Sequence, residues 1–86
     1  MREHTRTYYL GRLSDALEVW GLDVRLRPEL PALRVSDPET ALLSETVDCV
    51  PLQGGWFYRW SWGETLGRAD DPVSAAQRIA TVFRPC

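Results

Sequence analysis

A chain of 86 residues carrying ten arginines, twelve acidic residues and a net charge of −2 has room for one domain with a small core. Its 44% hydrophobic and 26% charged content excludes a disordered, collagen-like or disulfide-scaffold chain, and the negative total weighs against nucleic acid as a partner. No stretch approaches the ~18 apolar residues of a membrane span, and the N-terminal MREHTRTYYLGRL lacks a signal-peptide core, so no membrane is expected and the cytoplasm is the expected compartment.

Residues 7–20, TYYLGRLSDALEVW, place Tyr9, Leu10, Leu13, Ala16, Leu17 and Trp20 on one helical face, with Arg12, Asp15 and Glu18 opposite. Gly21 is the expected stop. Gly11 inside this helix either lowers its stability or marks a close approach of backbone to a neighbour. The period then changes to two: Leu22, Val24 and Leu26 alternate with Asp23, Arg25 and Arg27, PELP interrupts, and Leu33 and Val35 alternate with Arg34 and Ser36. This predicts a hairpin. ETALLS, residues 39–44, reads equally as loop or as a short helical turn.

TVDCVPL, residues 46–52, predicts a strand in which Pro51 marks an edge or an end. Gln53-Gly54-Gly55 supplies a turn, and WFYRWSW, residues 56–62, reads as the last strand. Asp70 or Asp71 is the expected N-cap of a final helix, with Pro72 in its first turn, Val73, Ala76, Ile79, Ala80 and Phe83 along its apolar face, and Pro85 closing it. The predicted fold is a single α+β domain, a two-layer sandwich of helix, three- or four-stranded antiparallel sheet and helix, with both helices on one face.

Alternation puts Trp56, Tyr58, Trp60 and Trp62 on one side of the aromatic strand and Phe57, Arg59 and Ser61 on the other. Four such rings left wet would expose ~600–1,000 Å², more than a monomer shows, so that side must be covered. The helices' alanines suit packing against Tyr58 and Trp60. Trp56 and Trp62, nearer the strand ends, are candidates for a dimer or ligand edge.

The reverse side of the sheet collects Arg25, Arg27, Arg34 and Arg59, with Asp23 and Asp48 among them. Either these form cross-strand ion pairs, or the guanidinium forks bind an anionic or acidic partner. Rings and arginines fall on opposite sides, unlike the arrangement in sheets that stack bases over a basic field. His4, the single histidine, has no nucleophile near it in sequence, and the acids show no catalytic pairing, so no enzyme, cofactor or metal site is expected. Cys49 alternates with Val47 and reads as a small core residue, whereas Cys86 is a terminal thiol that is either a bystander or the modified end of a carrier.

WFYRWSWGE followed by ADDPVSAAQRIATVF resembles a group of short actinobacterial proteins with a Trp-rich W-S-W-G-E strand, a DD cap and an Ala-rich final helix, some of them lying beside helix-turn-helix regulators. The absence of lysine and asparagine, beside plentiful Arg, Ala, Gly and Pro, agrees with a GC-rich source of that kind. The resemblance implies a regulatory or accessory role and assigns no site residue. Trp62-Gly63-Glu64 is the feature to test, with Glu64 at the strand's exit a candidate to pair with an arginine or to cap a partner. The sequence therefore points to a small non-enzymatic adaptor that binds another protein, a transcription regulator being one candidate, and that can self-associate as a homodimer through a sheet edge or the rim of the aromatic face. A small-molecule or peptide pocket with Trp56, Trp62 and Arg59 at its mouth is the alternative.

Overall fold

The computed structural model describes residues 2–27, 31–39 and 44–84, with side chains from Thr5 onward. Residues 28–30 of PELP, residues 40–43 of the ETALLS stretch, Pro85, Cys86 and the side chain of His4 lie outside the described residues. The element order is α1 (Arg2–Glu18), β1 (Asp23–Arg27), β2 (Ala32–Ser36), β3 (Ser44–Leu52), β4 (Gly55–Trp60), β5 (Thr65–Arg68) and α2 (Pro72–Phe83).

The five strands form one antiparallel sheet in the order β1-β2-β3-β4-β5, each joined to its sequence neighbour. Five strands replace the three or four expected, and the aromatic strand is followed by β5 instead of ending the sheet. The alternation of WFYRWSW runs past the strand's true end. β4 stops at Trp60, whose N–H donates to the carbonyl of Glu64 while its own carbonyl accepts from Gly63, so Ser61 and Trp62 lie in a turn. β5 was hidden because Tyr58 pairs with Gly67 and Arg59 with Thr65, leaving Leu66 as the extra residue of a bulge with its side chain buried.

One face of the sheet carries the core. Leu33, Val35, Val47, Cys49, Tyr58 and Trp60 are buried there, whereas the described residues that alternate with them are half-buried or exposed. Both helices lie on the buried side and pack against each other, α1 through Leu10, Leu13 and Leu17 and α2 through Ala75, Ala76, Ile79, Ala80 and Phe83. Small alanines bring α2 close to the other layers, as the bulk of Trp60 and Tyr58 requires. Val73, expected on this stripe, is exposed, and Ala75 stands in its place at the 75, 79, 83 spacing.

Hydrogen bonds lock the layers. The Tyr58 hydroxyl donates to the carbonyl of Tyr9 in α1 at 2.6 Å and lies 3.2 Å from that of Ala69, just before α2. Arg84, at the C-cap of α2, sends Nε and Nη2 to the two carboxylate oxygens of Asp37, each at 3.1 Å, and Nη1 to the carbonyl of Trp20 at 2.6 Å. Nη2 also reaches the carbonyl of Gly21 at 3.4 Å, so one side chain ties the exit of β2 to the end of α2 and to the turn that follows α1. Gly21, at φ 77, makes the turn that exposes those carbonyls. At the other end of α2, the Asp71 carboxylate accepts from the N–H of Ser74 at 3.3 Å and Pro72 occupies the first turn, as the sequence predicts.

α1 begins five residues earlier than the apolar pattern suggests, and Trp20 lies beyond its end at 42% exposure instead of on its buried face. Gly11 faces open space: a Cβ built on it meets nothing within 4 Å. No close approach therefore requires glycine, and Gly11→Ala should raise the unfolding free energy by about 0.5–1 kcal/mol in a denaturant titration.

The Arg84 guanidinium, with help from the N–H of Glu39, holds the Asp37 carboxyl below the ordinary carboxylate range. Asp37 is 3% exposed, so its charge depends on these partners. A carboxyl whose folded pKa is depressed stabilises the fold fully above its unfolded value of ~3.9, and that contribution disappears as pH falls through the folded value. Asp37→Asn should therefore be less stable than the parent at pH 7, with the gap closing below about pH 4 when thermal midpoints are compared across pH.

Candidate partner-binding face

The face of the sheet turned away from the helices is built by strand register. Arg25 lies opposite Arg34, and Arg34 opposite Thr46. One step along, Arg27 lies opposite Ala32, Asp48 opposite Arg59, and Arg59 opposite Thr65. A third row sets Val50 against Phe57 and Phe57 against Arg68, whose guanidinium lies 5.3 Å from the phenyl centroid. Alternation thus brings the four predicted arginines onto one face, as the sequence implies.

The cross-strand ion pairs do not form. Among the described residues the ion pairs are Arg68 with Asp70 and Arg84 with Asp37, and neither involves Arg25, Arg27, Arg34 or Arg59. Arg59 faces Asp48 in register yet makes no ion pair with it, and its buried Nε has no hydrogen-bond partner among the described residues. A guanidinium nitrogen removed from water without an acceptor is costly, and an anion placed beside it relieves that cost.

Arg6 joins this set from the helix layer. Positions 6, 10, 13 and 17 share one stripe of α1, so Arg6 aims where Leu10, Leu13 and Leu17 aim. The pairing of β2 with β3 ends at Leu33–Val47, while β3 runs on to Leu52. Beside that overhang lies a cleft of about 380 Å³ lined by Arg6, Ala32, Thr46, Asp48, Val50 and Arg59 among others. The Nε of Arg6 is also buried without a partner, and its guanidinium lies 5.9 Å from the ring centroid of Trp56. A smaller hollow of about 160 Å³, bounded by Arg27, Ala32, Arg34 and Thr46, adjoins it through Ala32 and Thr46. The short side chain of Ala32 leaves the floor of this groove open between long arginines. Arg6 was missed because the sequence pattern starts the helix at Thr7; its spacing to Leu10 and Leu13 was the available signal.

The aromatic rim does not assemble. Trp56 is half-buried, its ring 6.3 Å from that of Tyr9, and belongs to the core side of β4. Trp62, at the far end, is 56% exposed and stacks on Trp60 at 4.7 Å with an interplanar angle of 11°. Trp56, Trp62 and Arg59 therefore do not share the mouth of one pocket. Glu64 is exposed and forms no ion pair with an arginine among the described residues; its backbone carbonyl closes the β4–β5 turn. A separate apolar notch of about 130 Å³ lies between the ends of the helices, lined by Ala16, Val19, Trp20, Val73 and Ala76.

Among the described residues no cluster of three or more His, Cys, Asp or Glu side chains suits a metal ion, and no helix is long and apolar enough to cross a membrane. No protein-family model, curated protein or solved structure matches this chain.

Cys49 is fully buried, and desolvation pushes its thiol up to about 12. In a Cys86→Ser chain, a thiol reagent at pH 8 should leave the native protein unlabelled, with labelling appearing only through the unfolding transition; rapid native labelling would contradict this packing.

Proposed function

We propose that this chain is a binding protein without chemistry of its own, an adaptor that engages an acidic segment of another protein along the arginine-lined groove of its open sheet face. The supporting observation is the unpaired state of the guanidiniums: Arg25, Arg27, Arg34 and Arg59 have no carboxylate partner among the described residues, and the Nε atoms of Arg6 and Arg59 are buried without an acceptor. Arginine suits this task because its planar fork meets a carboxylate in two parallel hydrogen bonds. A row of such forks at strand spacing matches acidic side chains presented by an extended or helical segment. Where the partner is a regulator, as the sequence resemblance implies, acidic residues on its surface would occupy the groove.

The aromatic side contributes stability to this reading and not contact area, because Tyr58 and Trp60 are already covered by the helices. Association should be steered by charge and should weaken as salt screens it.

The test is titration of a fluorescein-labelled Glu-rich peptide, with a Lys-rich peptide as control. The acidic peptide should bind and lose affinity as salt is raised. Arg34→Ala with Arg59→Ala should weaken it at least tenfold, about 1.4 kcal/mol, whereas Arg78→Ala on the exposed side of α2 should leave it unchanged. Equal binding of both peptides, or an affinity indifferent to Arg34 and Arg59, would overturn the proposal.

A further inference from the structure

β1 is an edge of the sheet, and its outward side is complementary to itself. The carbonyl of Thr46 accepts from the N–H of Ser61 at 2.9 Å, so Thr46 turns its backbone groups toward β4. In an antiparallel ladder adjacent residues turn to opposite sides, which directs Val47 toward β2. With Leu33 opposite Val47 and Arg25 opposite Arg34, the same alternation gives Asp23, Arg25 and Arg27 the bonds to β2. The N–H and C=O groups of Val24 and Leu26 then point away from the sheet, and no described residue hydrogen-bonds to them.

We propose that β1 pairs antiparallel with β1 of a second copy about a two-fold axis at Val24, joining the two sheets into one. In this register each Val24 exchanges both backbone hydrogen bonds with its counterpart. Asp23 of each copy stands opposite Arg25 of the other, in the pair type where side chains come closest. Neither Asp23 nor Arg25 has an ion-pair partner within its own chain among the described residues, so the contact uses charges that are otherwise unmatched. On the helix side, Val24 and Leu26 are only half-buried, and the second copy's β1 covers what remains exposed. The competing two-fold register, centred on Arg25, sets Arg25 against Arg25 beside Arg34 and is disfavoured by like charge. β1 has neither a proline nor a bulge within it, and its charges, which would repel a copy in the Arg25-centred register, pair with opposite sign in the register centred on Val24.

An axis perpendicular to the sheet keeps like faces together. Both arginine faces then lie on one side of the joined sheet, and a partner with two acidic segments can engage both. The pairing itself does not rest on what occupies the groove.

Charge reversal tests the register. Sedimentation of the full chain at micromolar to millimolar concentration should show a dimer. Asp23→Arg and Arg25→Asp should each raise the dissociation constant at least tenfold, while circular dichroism confirms the fold. The doubly exchanged chain should dimerise again. An equimolar mixture of the two single variants should form a heterodimer, because each of its two cross-axis contacts then joins one arginine to one aspartate. A second reading needs no variant: amide exchange at Val24 and Leu26 in the parent should slow as concentration rises. A parent that stays monomeric throughout, a dimer indifferent to both reversals, or fast exchange at both amides where the dimer is populated would overturn the proposal.

Discussion

The structure turns on the burial of Tyr58. Its ring lies in the core, and its hydroxyl donates to the carbonyl of Tyr9 in α1 while approaching that of Ala69 at the entrance to α2. A phenol in a dry layer must find an acceptor, and here the acceptors belong to two different elements, so satisfying one donor fixes how both helices approach the sheet. Burial raises the hydroxyl's pKa well above the ordinary phenol value, which keeps it protonated as a donor. Trp60, two residues on, sits on the same side with Trp62 stacked over it from the turn. With the aromatic side of β4 committed to the helices, the alternation of the strand leaves Arg59 and its neighbours on the side of the sheet turned away from them.

The opposite corner is closed by a different means. Asp37 and Arg84 are 47 residues apart in sequence, and their paired contact brings the end of β2 to the end of α2, while the same guanidinium reaches the carbonyls of the turn after α1. A charged pair is a modest stabiliser when solvated, but one that also satisfies the carbonyls of a neighbouring turn sets geometry. The two corners resist different failures. Tyr58 holds the layers together through the core, and Arg84 prevents the helices from splaying at their C-terminal ends. Their separation leaves the groove side of the sheet free of structural duties.

Much of this was legible because each element has one strong period. α2 announced itself by Asp71, Pro72 and a stripe of apolar residues, and the arginine face followed from alternation in β1, β2 and β4. The misreadings have local causes. Val73 drew attention through its hydrophobicity, whereas the helix buries the smaller Ala75 because position, not side-chain size, sets the face. Trp62 continued an alternating pattern after the strand had ended, since Gly63 allows a turn that alternation cannot detect. β5 carries one apolar side chain and a bulge, so its period was broken where it would have been read. The start of α1 is polar, and Arg6 was invisible as a groove residue because stripes are sought through apolar side chains. That the cross-strand arginines lack carboxylate partners was beyond the sequence, which gives neighbours along a strand but not side-chain directions.

The chain's choice of arginine says less than where those arginines stand. With no lysine anywhere, every cation is Arg, so residue identity follows from composition and carries no information about a guanidinium-specific task. Position is independent of that bias. A net-negative protein would lower its energy by interleaving its arginines with its twelve acids, and the strand registers offered that chance at Asp48 and Arg59. Instead Arg25 and Arg34 face each other in register, and Arg6 and Arg59 line one cleft with their Nε atoms unpartnered. Like charges opposed across strands cost free energy in the isolated domain. Under the proposed reading, an acidic segment lying in the groove would offset that cost, since its charge is opposite to the groove's.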